Sequence, residues 1–166
     1  MQKKVFQLLV DNNSGVLSRI SGLFSRRGYN IESITAGVTA DPKYTRITIC
    51  TSGDDEVLEQ IEKQLAKLVD VRNIKELCPE ESVYRELAMV KVRISPEERQ
   101  SIVATTEIFR GKIVDVQPEC VIIEITGNQS KVDAFIKLLD GHEILELART
   151  GIAGLSRGVE SVVYLP

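Results

Sequence analysis

The chain has 166 residues, of which 43% are hydrophobic and 27% charged, which suffices for one ordinary domain or two small domains with buried cores. Its formal net charge is -3, and its 21 basic residues are scattered among 24 acidic ones, which provides no electrostatic footprint for binding nucleic acid or a membrane surface. Its apolar runs are too short to span a bilayer, and residues 1–4 lead into a predicted strand rather than a signal peptide.

Hydrophobic periodicity in the first half predicts a βαββαβ unit. Strands are predicted where apolar residues alternate or run together, and helices where they recur on one face. Gly28 follows the first helix, where a left-handed C-cap is expected. In chain order, the predicted elements are residues 5–10, 14–28, 30–39, 44–51, 54–68 and 70–77.

The second half repeats this order after a linker. The segment "CPEES" combines a proline with polar residues, and we place the linker at residues 79–84. Ser95-Pro96-Glu97-Glu98 predicts a capping box at one helix start, and Ser130 with Asp133 predicts a cap at the next. The predicted elements are residues 85–94, 95–109, 111–116, 120–126, 130–141 and 143–148.

We therefore predict the α+β fold class, with two tandem ferredoxin-like βαββαβ sandwiches. Each is expected to be a four-stranded antiparallel sheet with two helices on one face. The first domain is predicted at residues 1–78 and the second at residues 85–166, of which 150–166 form a tail.

Several sites that this fold can carry lack their residues here. An RNA-recognition domain needs aromatic residues on its central strands, and residues 44–50 contain one tyrosine at the edge. A metal-carrying domain needs two close cysteines in the first loop, which reads Asp-Asn-Asn-Ser-Gly. An acylphosphatase needs a positioned arginine in a phosphate loop, and residues 11–15 contain no basic residue. We predict neither a catalytic constellation nor a metal site.

The remaining reactive residues favour structural roles. The cysteines, Cys50, Cys78 and Cys120, never form a C-x-x-C pair, which is typical of reduced, buried thiols in a cytoplasmic protein. The single histidine, His142, has no obvious partner, and we expect a solvated turn residue rather than a catalytic one. The segment "GIAGLSRG", residues 151–158, matches no phosphate-loop spacing and predicts a mobile tail or a partner-binding segment.

The segment "DNNSG", residues 11–15, is the one stretch whose residues indicate binding chemistry. With Ser14 as the predicted N-cap, the first backbone N–H groups of the helix are available to an anion. Gly15 lacks a Cβ, so a small carboxylate can approach the backbone closely. The amides of Asn12 and Asn13 suit either end of a zwitterion, and Asn30 offers a carbonyl to an ammonium group. From these residues alone, a helix cap with no ligand remains an alternative.

The segment "LLVDNNSGVLSRISGLFSRRGYNIESITAGVT" closely resembles the amino-acid-sensing ACT domain of the small, regulatory subunit of acetolactate synthase, also called acetohydroxyacid synthase. The resemblance continues through "DEVLEQIEKQLAKLVDV", "TEIFRGKIVDV", "SKVDAFI" and "ARTGIAGLSRG", so it covers nearly the whole chain. Many ACT domains have proline before the glycine of this loop, whereas this chain has Ser14, a variation that the regulatory family also allows.

The resemblance implies a non-catalytic subunit that activates a separate catalytic subunit and confers feedback inhibition by valine, with leucine or isoleucine as other possible effectors. Thiamine diphosphate, Mg2+ and FAD are then expected in the catalytic subunit, and no cofactor in this chain. Homodimers or higher oligomers are expected to form through the ACT domains. A stand-alone amino-acid sensor without this enzyme partner is the alternative.

The family's motif carries over residue by residue onto three effector-site positions in this sequence: Asn12, Gly15 and Asn30. We add four neighbouring positions as backbone or wall of the same site: Ser14, Val16, Leu17 and Ile31.

Overall fold

The computed structural model describes residues 2–159. The first sheet is antiparallel, with the strand order β2-β3-β1-β4. Its elements are β1 (Gln2–Asp11), α1 (Val16–Arg27), β2 (Ile31–Val38), β3 (Tyr44–Gly53), α2 (Asp55–Leu65) and β4 (Val71–Glu76). The predicted βαββαβ order is confirmed for the first half.

The second half has the same order, again confirming the prediction. A 3-10 turn at Pro79–Glu81 precedes a sheet with the strand order β6-β7-β5-β8. Its elements are β5 (Ser82–Arg93), α3 (Arg99–Ile108), β6 (Lys112–Val116), β7 (Cys120–Gly127), α4 (Gln129–Leu138) and β8 (Ile144–Arg149). Because β5 begins at Ser82, the last three residues of the predicted linker are part of a strand.

Each half has its own hydrophobic core. In the first, alternate residues of β1 pack against the apolar faces of the helices, as the periodicity predicts. In the second, the rings of Phe109 and Phe135 meet edge to face with centroids 5.4 Å apart. Phe6 in the first core and Phe135 in the second are completely buried.

The compact units differ from the predicted domains at the tail. Among the described residues, one unit comprises 2–84 together with 151–159, and the other comprises Arg85–Thr150. The prediction assigned residues 150–166 to the second domain, whereas residues 151–159 belong to the first unit. This segment contains an additional strand, β9 (Ala153–Ser156), which pairs with β5, so the sheet that contains β5 has five strands rather than the predicted four. Residues 160–166 of the predicted tail lie outside the described residues.

Burial explains why this segment differs from the prediction of a mobile tail. Gly151, Ile152 and Gly154 are buried, and Ile152 belongs to an apolar cluster with Val5 and Cys50.

The prediction of buried thiols is confirmed for Cys50 alone, since Cys78 is exposed and Cys120 is half-buried.

The start of α4 differs from the predicted cap. Asn128 is the N-cap, and its side-chain oxygen accepts a hydrogen bond from the backbone N–H of Lys131 at 2.9 Å. The predicted residues, Ser130 and Asp133, lie inside or beyond the first turn, so they cannot close it.

None of the helices within residues 2–159 is long and apolar enough to cross a membrane.

Candidate amino-acid-binding site

The start of α1 is closed by backbone conformation rather than by a side chain. Gly15 is the N-cap, in the left-handed region at φ 85°, and no side chain of the described residues caps this end. The backbone N–H of Val16 points to the carbonyl of Asn13 at 3.5 Å. The prediction of Ser14 as the N-cap is therefore wrong, because a glycine follows it that can adopt the turn by itself.

The positively charged side chain of Arg19 lies beside this helix start. A Cβ added to Gly15 would stand 3.0 Å from Nη1 of Arg19, so the guanidinium is next to the backbone of the loop. The Nε–H of Arg19 donates to Oδ2 of Asp70 at 2.6 Å, and this hydrogen bond raises the pKa of Arg19. The first turn of α1 contains no acidic residue. The positive end of the helix dipole and the guanidinium therefore favour an anion at the same place.

Sequence reasoning missed Arg19 because it considered only the basic residues within loop 11–15. The usable signal was the spacing of four residues between Gly15 and Arg19, which puts the two on the same face of the helix.

Asn12 holds the loop in shape. Its Nδ2–H donates to the carbonyl of Pro42 at 2.9 Å, and its Oδ1 accepts from the hydroxyl of Thr45 at 3.1 Å. Its backbone N–H donates to the carbonyl of Lys43 at 2.8 Å. One end of the amide therefore binds the turn between β2 and β3 and the other binds the start of β3, so the residue positions the loop against both.

An ion pair fixes the end of β1. Arg72 on β4 donates to both carboxylate oxygens of Asp11, at 2.7 and 2.6 Å. This bidentate pair holds the pKa of Asp11 below its usual range. The strand that leads into the loop is therefore held on the side of β4.

The predicted wall residues Val16 and Leu17 differ in their surroundings. The Val16 side chain is buried in the core of the first unit, so only its backbone N–H faces the loop. The Leu17 side chain is 48% exposed and is available to contact another molecule.

Asn30 and Ile31 lie at the other end of the sheet. Ile31 at the start of β2 pairs with Thr51, whereas Val38 at its end pairs with Thr45, near the loop. The two pairing partners are six positions apart on β3, so at about 3.3 Å per residue the two ends are roughly 20 Å apart. The carbonyl of Asn30 accepts from the Thr51 hydroxyl at 2.6 Å. One chain therefore does not bring Asn30 next to Gly15.

In the second unit, side chains of neighbouring residues satisfy the backbone N–H groups at the corresponding helix start, that of α3. The predicted capping box is present, with Oε2 of Glu98 accepting from the Ser95 N–H at 2.8 Å and the Ser95 hydroxyl accepting from the Glu98 N–H at 3.3 Å. The α-helix itself begins at the next residue, Arg99. The hydrogen bond from the Ser95 N–H to the Glu98 carboxylate is the largest cause of the lowered pKa of Glu98.

His142 differs from the expected solvated turn residue. Its side chain is 20% exposed, and its Nδ1 lies 3.3 Å from Oε1 of Glu98. The two residues are far apart in the chain, so spacing did not reveal this partner.

Among residues 2–159, no group of three or more histidine, cysteine or acidic residues is arranged to hold a metal ion.

Comparisons with known proteins match both halves. Residues 6–73 match the model described as the AHAS small subunit-like ACT domain, and residues 85–158 match the model of the small subunit of acetolactate synthase. A probable acetolactate synthase small subunit from Methanothermobacter thermautotrophicus is 52% identical over 93% of this chain and 92% of that protein. The small subunit of acetolactate synthase isozyme 3 from Escherichia coli is 49% identical over 94% and 96%.

A solved structure agrees with these matches. The crystal structure of the acetolactate synthase small subunit from Thermotoga maritima has a TM-score of 0.88 and 46% sequence identity, covering 96% of this chain and 100% of that one. The resemblance predicted from the sequence is confirmed, and this chain belongs to the acetolactate synthase small-subunit family.

Proposed function

We propose that this chain is the non-catalytic regulatory subunit of an acetolactate synthase, which activates a separate catalytic subunit and confers feedback inhibition by valine. The observation that carries the proposal is the match to relatives named as small subunits over nearly the full length of both chains. Thiamine diphosphate, Mg2+ and FAD then belong to the catalytic subunit, and the ligand of this chain is the amino acid.

The start of α1 supports a carboxylate site. Gly15 leaves the backbone open, no side chain within the described residues caps the helix, and the Arg19 guanidinium adds a positive charge. In our proposal, the valine carboxylate accepts from the N–H groups of Gly15 and Leu17, and Arg19 stabilises its charge. The exposed Leu17 side chain contributes to the apolar wall around the isopropyl group.

The separation of Asn30 from Gly15 supports a site shared by two copies. Within residues 2–159, β2 pairs only with β3, so its outer edge is available for pairing. Antiparallel pairing of β2 with β2 of a second copy would reverse the strand and bring Asn30 and Ile31 of that copy to the loop of the first. Exposed apolar side chains along this edge, Ile34 and Val38, favour such pairing.

A shared site gives a physical route to regulation. A ligand that contacts two copies favours the arrangement in which both sets of contacts form. A coupling free energy of about 1–3 kcal/mol between valine and the catalytic subunit suffices for strong feedback, and it must be reciprocal in binding.

Reconstitution with the catalytic subunit tests the proposal. The chain is expected to co-purify with a thiamine-dependent catalytic subunit, raise its activity and make it sensitive to valine. Calorimetric titration with valine, leucine and isoleucine, with and without that subunit, ranks the ligands. Sedimentation of the chain alone is expected to give at least a dimer.

Two results would contradict the proposal in different ways. Amino-acid binding without any association with a catalytic subunit would indicate a stand-alone sensor. Full valine binding by a monomer would leave the regulatory role intact but would exclude a site shared between copies.

A further inference from the structure

A buried segment crosses the open face of the first sheet, the face opposite α1 and α2. We name residues 151–156 the strap. Its first residue lies on β2, since a Cβ on Gly151 would be 2.7 Å from Cβ of Ser33. In its middle, the carbonyl of Gly154 accepts from Nε2 of Gln7 on β1 at 2.5 Å. A Cβ on Gly154 would also meet Leu77 at 2.9 Å, beyond the end of β4.

The strap buries one reactive group that can report its position. Ile152 packs with Val5, Cys50 and Leu77 in a cluster that excludes water. Cys50 is completely buried, and its burial raises the pKa of its thiol to about 11. The thiol is therefore unreactive while the strap is seated, and release of the strap exposes it.

The contact between the strap and β2 requires glycine. Gly151 has φ 83°, and an added Cβ would meet both Cβ and Oγ of Ser33, at 2.7 and 3.0 Å. Thr35 Oγ1, on the same strand, would be 3.3 Å away. Any larger residue therefore pushes the strap away from β2 or displaces the strand. Ile31, an effector position in the proposed function, begins this strand two residues before Ser33.

We propose that the strap is a positioning element for the amino-acid site, with seating of the strap on β2 thermodynamically coupled to valine binding. This inference rests on the proposed function, which assigns Asn30 and Ile31 on β2 to that site. The seated strap holds β2 in one position, so the ligand does not have to order the strand when it binds. Release lowers the population of the binding-competent strand and weakens the apparent affinity in proportion. By reciprocity, valine favours the seated strap.

A pair of glycine variants separates this contact from backbone strain. Gly151→Ala inserts a Cβ against Ser33, whereas Gly158→Ala has a similar left-handed φ of 78° and no atom within 4 Å. In a full-length background with Cys78→Ser and Cys120→Ser, an aromatic disulfide reagent reports only on Cys50. Gly151→Ala is expected to raise both the valine dissociation constant and the rate of Cys50 modification about tenfold. Gly158→Ala is expected to change neither more than twofold.

Two further measurements complete the test. Saturating valine is expected to slow Cys50 modification in the background protein. Ser33→Gly removes the two closest atoms, so the double variant with Gly151→Ala is expected to recover valine affinity to within twofold of Ser33→Gly alone. If Gly151→Ala does not fold, Gln7→Met, which removes the hydrogen bond to Gly154, carries the same measurements.

The outcomes distinguish this inference from the proposed function. Normal valine affinity together with a reactive Cys50 in Gly151→Ala would overturn the coupling. If Cys50 stays unreactive in both Gly151→Ala and Gln7→Met, release of the strap by these substitutions is excluded. Failure of the unsubstituted protein to bind valine would refute the proposed function directly, and the coupling with it.

Discussion

The starts of α1 and α3 occupy the same place in the repeated βαββαβ order, yet they are completed differently. At α3, the side chains of Ser95 and Glu98 satisfy the first turn from within the chain. At α1, Gly15 closes the turn by its conformation, and Arg19 adds a positive charge beside it. A helix start that contains its own carboxylate has no need of a ligand, whereas one without it can accept a carboxylate from outside.

The largest expected effect concerns Gly15. Gly15→Asp is expected to raise the valine dissociation constant at least about 100-fold, because a carboxylate at this position repels that of the ligand and pairs with Arg19. Valine titration and inhibition of the reconstituted enzyme measure the change. Activation of the catalytic subunit is expected to remain.

Gly15→Asn is the matched control for this variant. Asparagine has nearly the same shape as aspartate and tolerates the left-handed region similarly, but it has no charge. Its valine dissociation constant is expected to rise no more than about tenfold. Equal losses in both variants would show that shape alone, rather than charge, determines binding at this position.

The next effect concerns two half-exposed arginines, one in each unit. Arg19→Met is expected to weaken valine binding about tenfold, because it removes the charge next to Gly15. Arg93→Met removes a half-exposed arginine of the second unit that pairs with Glu143, and it is expected to leave valine affinity unchanged. Because both arginines are half-exposed, the loss of either ion pair is expected to change the stability of the protein little. Equal valine affinities in the two variants would exclude Arg19 from the site.

Serine substitutions compare the caps themselves. Ser95→Ala is expected to lower the free energy of unfolding by about 1 kcal/mol, because it removes the hydroxyl that accepts from the Glu98 N–H. Ser14→Ala is expected to change it by less than about 0.5 kcal/mol, since Ser14 caps nothing. Urea unfolding followed by circular dichroism measures both, and an equal cost for Ser14→Ala would contradict the glycine-closed turn.

The smallest effect is a dependence on pH. The folded-state pKa of Glu98 lies below its ordinary value of 4.5, mainly because its carboxylate accepts from the Ser95 N–H, then because of the Ser95 hydroxyl, and to a smaller degree because His142 is close. Its contribution to stability is therefore complete above pH 4.5 and is lost as the pH falls through the folded-state pKa. The melting temperatures of Glu98→Gln and the unsubstituted protein are expected to converge below pH 4.5. A constant difference down to pH 3 would exclude this contribution.

Local patterns predicted the fold because the information lies in neighbouring residues. Alternation in β1 and the recurrence of Ile20, Leu23 and Phe24 in α1 identify core-facing positions without reference to the rest of the chain. The capping box at Ser95 was equally predictable, since both partners lie within four residues.

Contacts between distant residues were not predictable in this way. Spacing did not indicate that Glu98 approaches His142, that Asp70 orients Arg19, or that residues 151–156 cover β1. The position of Asn30 at the far end of the sheet follows from strand pairing and not from its distance in sequence to Gly15. The resemblance predicted these site residues, and only the register shows that one chain holds them apart.

The position of the strap in the chain has a consequence for folding during synthesis, because the first unit lacks this segment until the second unit has been made. The strands of the first sheet leave the ribosome before the second unit is made, whereas the strap follows that unit in the chain. Until then, Val5 and Cys50 lack their cover and the Gln7 amide lacks its acceptor. The N-terminal unit is therefore exposed on this face until the strap has been synthesised, and such transiently exposed apolar surface favours aggregation.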